Sequence, residues 1–316
     1  SRDLVQMARN TEGGGVIILM MMRAGRTIGV HQYPFPDLDS SVSDAEFIFE
    51  FLSQYYIPQR EDPHPAGLAE DILIPACDIE KEDLKLLERA LNKQLSFRVP
   101  QRGEAAETLK MLKKTADHHL SDLLKNKKES EVELAELQYK LKLTKFPRRM
   151  ECYDISHFQG EGTVASRVVF INGKPEKSLY RHYHVNEVDG PDDFKSMLEI
   201  LSRRFSREDG TTSGAPDLVV IDGGRGQLKQ AEVVFQELGV IHVDLVSLAK
   251  ARTERSFQAE EVEATFERVF KPGQKNPVML KPGTSSYRLL THLRDEAHRF
   301  AITFHRKVRD RRILGK

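Results

Sequence analysis

Two segments of this chain run an apolar strand into a carboxylate. In PDLVVIDGGRGQ the β-branched run 218–221 meets Asp222 and then three glycines within four residues; in MECYDISHFQG, Asp154 lies in the middle or at the end of a second apolar segment. A short run without polar alternation suits a central strand covered on both faces. Ligands of open α/β sheets collect at the carboxyl ends of such strands, which is where Asp222 stands. The competing reading of Asp222 is a cap on the next helix, with the glycines making a tight turn. A partner decides between them. On adjacent parallel strands Asp154 and Asp222 would face each other, and carboxylates that close repel unless a cation joins them. Oxygen ligands of this kind suit a hard ion, Mg2+ or Mn2+.

A third ligand is expected from the last helix, residues 286–306, whose apolar stripe is Leu289, Leu290, Leu293, Ala297, Phe300, Ala301 and Phe304. That stripe packs the helix on a sheet and leaves His298 at its edge, with Asp295 one turn earlier on nearly the same side. A histidine beside an apolar stripe is more often a core or surface residue, so His298 gains weight only from the two carboxylates. Asp295 is a further candidate ligand. Glu296 and Asp192 are weaker ones, whose ordinary roles are helix caps and surface ion pairs.

The elements that would position these groups occur in a fixed order. A strand at 151–155, a strand at 164–171, the turn Asn172-Gly173 and a strand at 178–185 form a meander. A helix at 192–205, the Asp222 strand, a helix at 227–238 and a strand at 243–248 follow. The first hundred residues repeat that order: strands at 4–7, 16–22 and 27–33 with the turn Ala24-Gly25, a helix at 45–56, a strand at 72–75, a helix at 81–94 and a strand at 95–99. Three antiparallel strands followed by alternating helices and parallel strands is the order of an RNase H-like α/β fold, a mixed five-stranded sheet flanked by helices, present twice. The first copy has Pro75 where the second has Asp222, and amide or apolar residues, Gln6 and Met7, where the second has Asp154. It is therefore expected to be a degenerate copy without catalytic carboxylates. The domains expected are 1–100, a charged helical linker at 101–146, and 147–312.

Bulk composition restricts the rest. Lysine plus arginine and aspartate plus glutamate number 48 each, so net charge points to no partner. Residues 288–316 carry nine basic against three acidic side chains, a plausible phosphate-binding surface or a solvated helix face. Two cysteines, Cys77 and Cys152, make neither a disulfide scaffold nor a zinc site alone, and no secretory signal precedes them; the chain reads as reducing and cytoplasmic. The most apolar run, 16–22, falls far short of the roughly 20 residues a membrane span needs.

MECYDISHFQGEGTVASRVVF, DDFKSMLEILSRR, PDLVVIDGGRGQL, SLAKAR and RDEAHRFAITFHRKVR resemble, in that order, the endonuclease region of the UvrC family, the nuclease subunit of bacterial nucleotide excision repair. The resemblance is dense from 148 to 312, and the first half is similar to the segment preceding that region, including VPQRG at 99–103. It implies a metal-dependent RNase H-type endonuclease making the 5′ incision beside a lesion in double-stranded DNA, with Asp154, Asp222 and His298 as catalytic metal ligands. It also implies UvrB as a partner, although the docking hairpin, the N-terminal nuclease domain and the C-terminal DNA-binding repeats have no counterpart, so the chain is expected to be a central excised portion. Lys229, Lys250, Arg252, Arg203, Arg204, Arg299 and Arg306 would hold the DNA backbone without reading sequence, though each is also an ordinary surface cation. A nucleotide-binding loop at the glycines is discounted because GxxxxGK spacing is absent. The alternative function is a non-catalytic RNase H-fold module that binds DNA or a repair partner.

Overall fold

A computed structural model describes the chain apart from residues 12, 61–63, 66, 93–94, 159–161, 186–192, 206–213, 251–265 and 314–316; beside several of these stretches it describes the backbone alone. The chain divides into two units, Ser1–Lys128 and Glu129–Lys316.

In the first unit, strands β1 (Arg2–Asn10), β2 (Gly14–Arg23) and β3 (Arg26–Phe35) form the meander, followed by helix α1 (Asp44–Tyr56), β4 (Asp71–Leu73), α2 (Lys81–Leu91) and β5 (Ser96–Arg98). The sheet order is β3-β2-β1-β4-β5, antiparallel within the meander and parallel from β1 through β4 to β5. The β2–β3 turn puts both Ala24 and Gly25 at positive φ, 49° and 76°, the pair of conformations that matches the twist of a two-residue hairpin. Along β2, Ile17, Leu19 and Met21 face a core with Phe47, Phe51 and Leu52 of α1, while Val16, Ile18 and Met20 face another with Leu109, Leu112 and Ala116.

Those last leucines belong to α3 (Glu104–Leu141), a single helix of 38 residues spanning the segment read from sequence as a linker. Its early apolar positions are core of the first unit, and Leu134, Leu137 and Leu141 are core of the second.

The second unit consists of β6 (Arg149–Phe158), β7 (Gly162–Ile171), β8 (Lys174–Pro175), β9 (Arg181–Val185), α4 (Asp193–Phe205), β10 (Leu218–Asp222), α5 (Arg225–Glu237), β11 (Asp244–Lys250), β12 (Glu267–Phe270), β13 (Val278–Leu280) and α6 (Ser285–Ile313). The order β9-β7-β6-β10-β11 reproduces the first sheet, with β6, β10 and β11 parallel. Two differences from the expected elements stand out. The third meander strand is broken, because Pro175 and a 3-10 turn at Lys177–Leu179 interrupt it before β9. Beyond β11 the sheet continues through antiparallel β12 and β13, so it has eight strands.

Alternation along β6 assigns its residues to two faces. Met150 and Cys152 pack with Leu289, Leu290, Leu293 and Ala297 of α6. Tyr153 packs on the opposite face with Met197, Ile200 and Leu201 of α4 and Leu228 of α5. Glu151 lies on that second face and is fully buried. Arg204 donates to both its carboxylate oxygens, at 3.0 and 2.9 Å; Arg149 donates at 2.8 Å and the Tyr153 hydroxyl at 2.9 Å, while Arg167 stands 3.9 Å away. Burial alone would raise the Glu151 carboxyl, but the hydrogen bonds and charges of Arg204, Arg167 and Arg149 outweigh it and hold the group below its ordinary 4.5.

Glu151→Gln removes the one negative charge shared by three largely buried guanidinium groups. It is expected to cost about 3–5 kcal/mol in urea unfolding, whereas Arg203→Ala, which removes an exposed cation paired with Glu199, costs less than about 1 kcal/mol. The sign with pH follows from the depressed folded value: the Glu151 contribution is complete above 4.5 and is lost as pH falls through that lower value, so the two variants' stabilities converge in acid.

Candidate metal centre

Register brings the two carboxylates together. Ile221 pairs with Tyr153 across the parallel β6–β10 ladder, and one residue further Asp222 and Asp154 stand side by side on the face covered by α6. That helix runs along β6 and β7, anchored by Leu289, Leu290, Leu293 and Ala297, and the Ser166 hydroxyl of β7 donates to the Ala297 carbonyl at 3.2 Å. His298 is the next residue. Its Nδ1 lies 3.4 Å from Asp154 Oδ2, and one ligand atom each from Asp154, Asp222 and His298 lie within 4.8 Å of one another.

A graded exposure runs through the cluster. The Asp154 side chain is 10% exposed and that of His298 64%, so the floor is dry and one side opens to solvent. A divalent ion bound at about 2.0–2.2 Å by such ligands needs donors about 3–4 Å apart, and small side-chain rotations close the present spacing to that. Two carboxylates and an imidazole are suitable donors for Mg2+ or Mn2+, and the open side leaves positions for water or a phosphate oxygen. Cys152, beneath the cluster, is no competitor: burial above all, and then the Asp222 and Asp154 carboxylates, push its thiol well above the usual cysteine range.

The structure sorts the other candidates. Asp295 turns away from the cluster and accepts from Arg294 at 3.0 and 3.2 Å, so its position one turn before His298 does not bring it in. Arg204, expected on the DNA surface, is 6% exposed and committed to Glu151 and the Gly214 carbonyl. Arg203, Lys229 and Arg299 are exposed but paired within their own helices, with Glu199, Glu232 and Glu296. Glu296 also accepts from the Tyr180 hydroxyl at 3.1 Å. Lys250 contributes backbone to β11; its side chain, that of Arg306, and the whole of Arg252 and Asp192 lie outside the described residues.

Sequence reading missed the role of Gln227. Its side-chain oxygen reaches back to accept from the Gly224 N–H at 3.2 Å, closing the loop between Asp222 and α5. A Cβ on Gly223 would fall 1.4 Å from that oxygen. The glycine next to Asp222 thus makes room for a cap. The spacing G-G-x-x-Q before a helix was the available signal. Arg225, at the first position of α5, stacks over Phe270 at 5.5 Å and donates to the Lys275 carbonyl, tying the same loop to the added strands.

Two sheets ordered 3-2-1-4-5, one with an Asp-Asp-His cluster at its carboxyl edge, define a pair of RNase H-like domains of which the second carries a candidate metal centre. The family model described as the UvrC RNase H endonuclease domain matches residues 138–302, and that described as the UvrC ribonuclease H-like domain matches 1–123. The chain belongs to the UvrC family. It is 42% identical over 308 residues to the UvrABC system protein C of Bdellovibrio bacteriovorus, covering 95% of this chain and 47% of that protein. To the same protein of Geobacter metallireducens it is 43% identical over 294 residues, covering 93% and 46%. The chain therefore spans about half the length of these relatives. Among solved structures, Ciona intestinalis endonuclease V is similar at 13% identity, with 60% of this chain and 98% of that chain covered and a TM-score of 0.31.

Gly223→Ala displaces the Gln227 cap and is expected to cost about 0.5–1 kcal/mol in thermal or urea unfolding. Gly226→Ala, in the first turn of α5 with open space around its Cβ, is expected to stabilise by a similar amount. Opposite signs three residues apart are the check.

Proposed function

We propose that the second unit is a metal-dependent DNA endonuclease that makes the 5′ incision beside a lesion in nucleotide excision repair, in the cytoplasm, acting on damaged double-stranded DNA and, within the full-length protein, together with UvrB. The observation that carries this reading is the convergence of Asp154, Asp222 and His298 from two parallel strands and one helix. In a dry site two carboxylates and an imidazole hold a divalent cation, and the imidazole tilts the preference from Mg2+ toward Mn2+. When bound, such an ion supplies Lewis acidity, polarising the scissile phosphodiester and easing deprotonation of water.

The protein's own groups do the positioning. Asp154, nearly buried, and Asp222, at its strand end, would hold the cation from the sheet, and His298 would hold it from α6 on the side that stays open to solvent. The N-terminus of α5, reached directly from Asp222 through the capped loop, points its free N–H groups where an anion is favoured. Arg203, Lys229 and Arg299 are themselves exposed, and can exchange their ion pairs with partly buried acids for backbone phosphates. The first unit, with Gln6 and Pro75 at the equivalent strand positions, takes no part in cutting and folds as its own domain; the incising domain comprises 147–312.

Asp222→Asn and His298→Ala, introduced into the full-length protein, are each expected to reduce nicking of lesion-containing duplex, assayed with UvrB and Mn2+, by more than the roughly 10–100-fold that loss of an outer-shell partner costs. DNA affinity and its salt dependence stay near wild type, because these residues hold the ion and not the backbone. Asp295→Ala, which breaks only the pair with Arg294, leaves nicking unchanged. Equal loss of nicking and affinity in Asp222→Asn would make the residue structural and favour a binding module.

A further inference from the structure

The first sheet has a carboxyl edge of its own, and something other than carboxylates occupies it. Leu4 pairs with Leu73 across β1 and β4, and two residues further Gln6 and Pro75 stand at the register positions that Asp154 and Asp222 occupy in the second sheet. Gln6 is buried and fully engaged: its side-chain nitrogen donates to the Leu109 carbonyl at 3.2 Å and its oxygen accepts from the Met7 N–H at 2.9 Å. A groove of ≈ 490 Å³ opens over this edge, bounded by Gln6, Pro75 and Val99 on the sheet side and by Lys110, Lys113 and Lys114 of α3 on the other. The Lys113 ammonium donates to the Met7 carbonyl at 3.2 Å, which fixes a cation beside the carboxyl end of β1. Lys113 also pairs with Asp117 at 2.9 Å and Lys110 with Glu107 at 2.9 Å, both exposed i,i+4 or i,i+3 pairs of little worth; Lys114 has no ion pair among the described residues.

We propose that this groove is a second, non-cleaving site for nucleic acid, in which a wall of three lysines takes successive backbone phosphates at the edge where the other sheet carries its candidate metal centre. An acidic cluster needs a cation before it can accept phosphate. Here the carboxylates are replaced by an amide and a proline, and the cation is covalently part of α3. Ammonium groups neutralise phosphate as point charges and read no sequence, as suits a site that holds duplex at a distance from a cut set by a lesion. The short apolar wall of Pro75 and Val99 suits the sugar face of the backbone. No phosphodiester is broken in this groove, because the carboxylates that would assemble an ion are missing. The proposal rests on the reading of nucleic acid as the second unit's partner, and it adds a contact about which that reading says nothing.

The test is binding of a fluorescein-labelled 30-base-pair duplex by the whole chain, with EDTA present so that the metal centre does not contribute, for wild type, Lys110→Gln/Lys113→Gln/Lys114→Gln and the corresponding triple Arg variant. The Gln variant is expected to bind about tenfold or more weakly at 0.1 M salt, and its plot of log affinity against log salt is expected to be shallower by about 2–3, since each phosphate contact contributes about 0.9. The Arg variant keeps the wild-type slope, and the Gln variant unfolds thermally like wild type, which separates a lost contact from a disturbed fold. Wild-type affinity and slope in the Gln variant would overturn the proposal while leaving the incision reading intact. Failure of the wild-type chain to bind duplex at all would overturn both. Loss of binding to a polyglutamate probe with none to DNA would assign the groove to acidic protein and overturn it as well.

Discussion

Two carboxylates on one face of adjacent parallel strands set the terms for the second unit. At the register seen here Asp154 and Asp222 are neighbours, Asp154 is nearly buried, and their repulsion in a low-dielectric setting has to be offset by charge from outside the pair. The neighbouring structure answers to that requirement. Leu289, Leu290, Leu293 and Ala297 seat α6 so that the following residue, His298, reaches the same spot, and the Gln227 cap holds the loop that leaves Asp222. Displacing β6 by one residue would turn Asp154 to the other face and put Glu151 in the α6 core. Register, helix packing and site geometry are therefore one constraint.

The same strand carries a second charge problem and solves it differently. Glu151 faces α4, where Arg204, Arg149 and Tyr153 hydrogen-bond to it and Arg167 stands close behind, all within a core of Met197, Ile200 and Leu201. There the counter-charges are side chains, largely shut away from water. On the α6 face the carboxylates converge with an exposed imidazole at a site with a solvent-facing side. The contrast between a closed network and an open cluster on alternate residues separates a structural ionic group from one suited to recruiting an ion.

Much of this was legible in the sequence. Asp154 and Asp222 declared themselves by ending apolar runs, the two turns with paired positive φ were written as Ala-Gly and Asn-Gly, and the stripe of α6 was visible at helical spacing. What was not legible depended on partners distant in sequence. Arg204 looks like any basic residue at a helix end, and only Glu151, 53 residues away, makes it a buried ligand of an acid. Asp295 and His298 share a side of the helix, but the adjacent Arg294 captures Asp295, a choice between neighbours that periodicity does not rank. Strands β12 and β13, of four and three residues, are too short to show alternation. Helix α3 read as a linker because its charges dominate, although from Leu109 to Leu120 and again from Leu134 to Leu141 every third or fourth residue is core to one unit or the other.

The central claim is that Asp154, Asp222 and His298 act together as one ion site, and manganese titration by calorimetry tests it most directly. The account predicts one Mn2+ per chain for wild type, and loss or strong weakening of that binding in Asp154→Asn, Asp222→Asn and His298→Ala alike, with thermal unfolding showing each variant folded. Binding that is absent from the wild-type chain, or indifferent to all three substitutions, would contradict it and leave Asp222 as the end of a strand and the start of a capped helix.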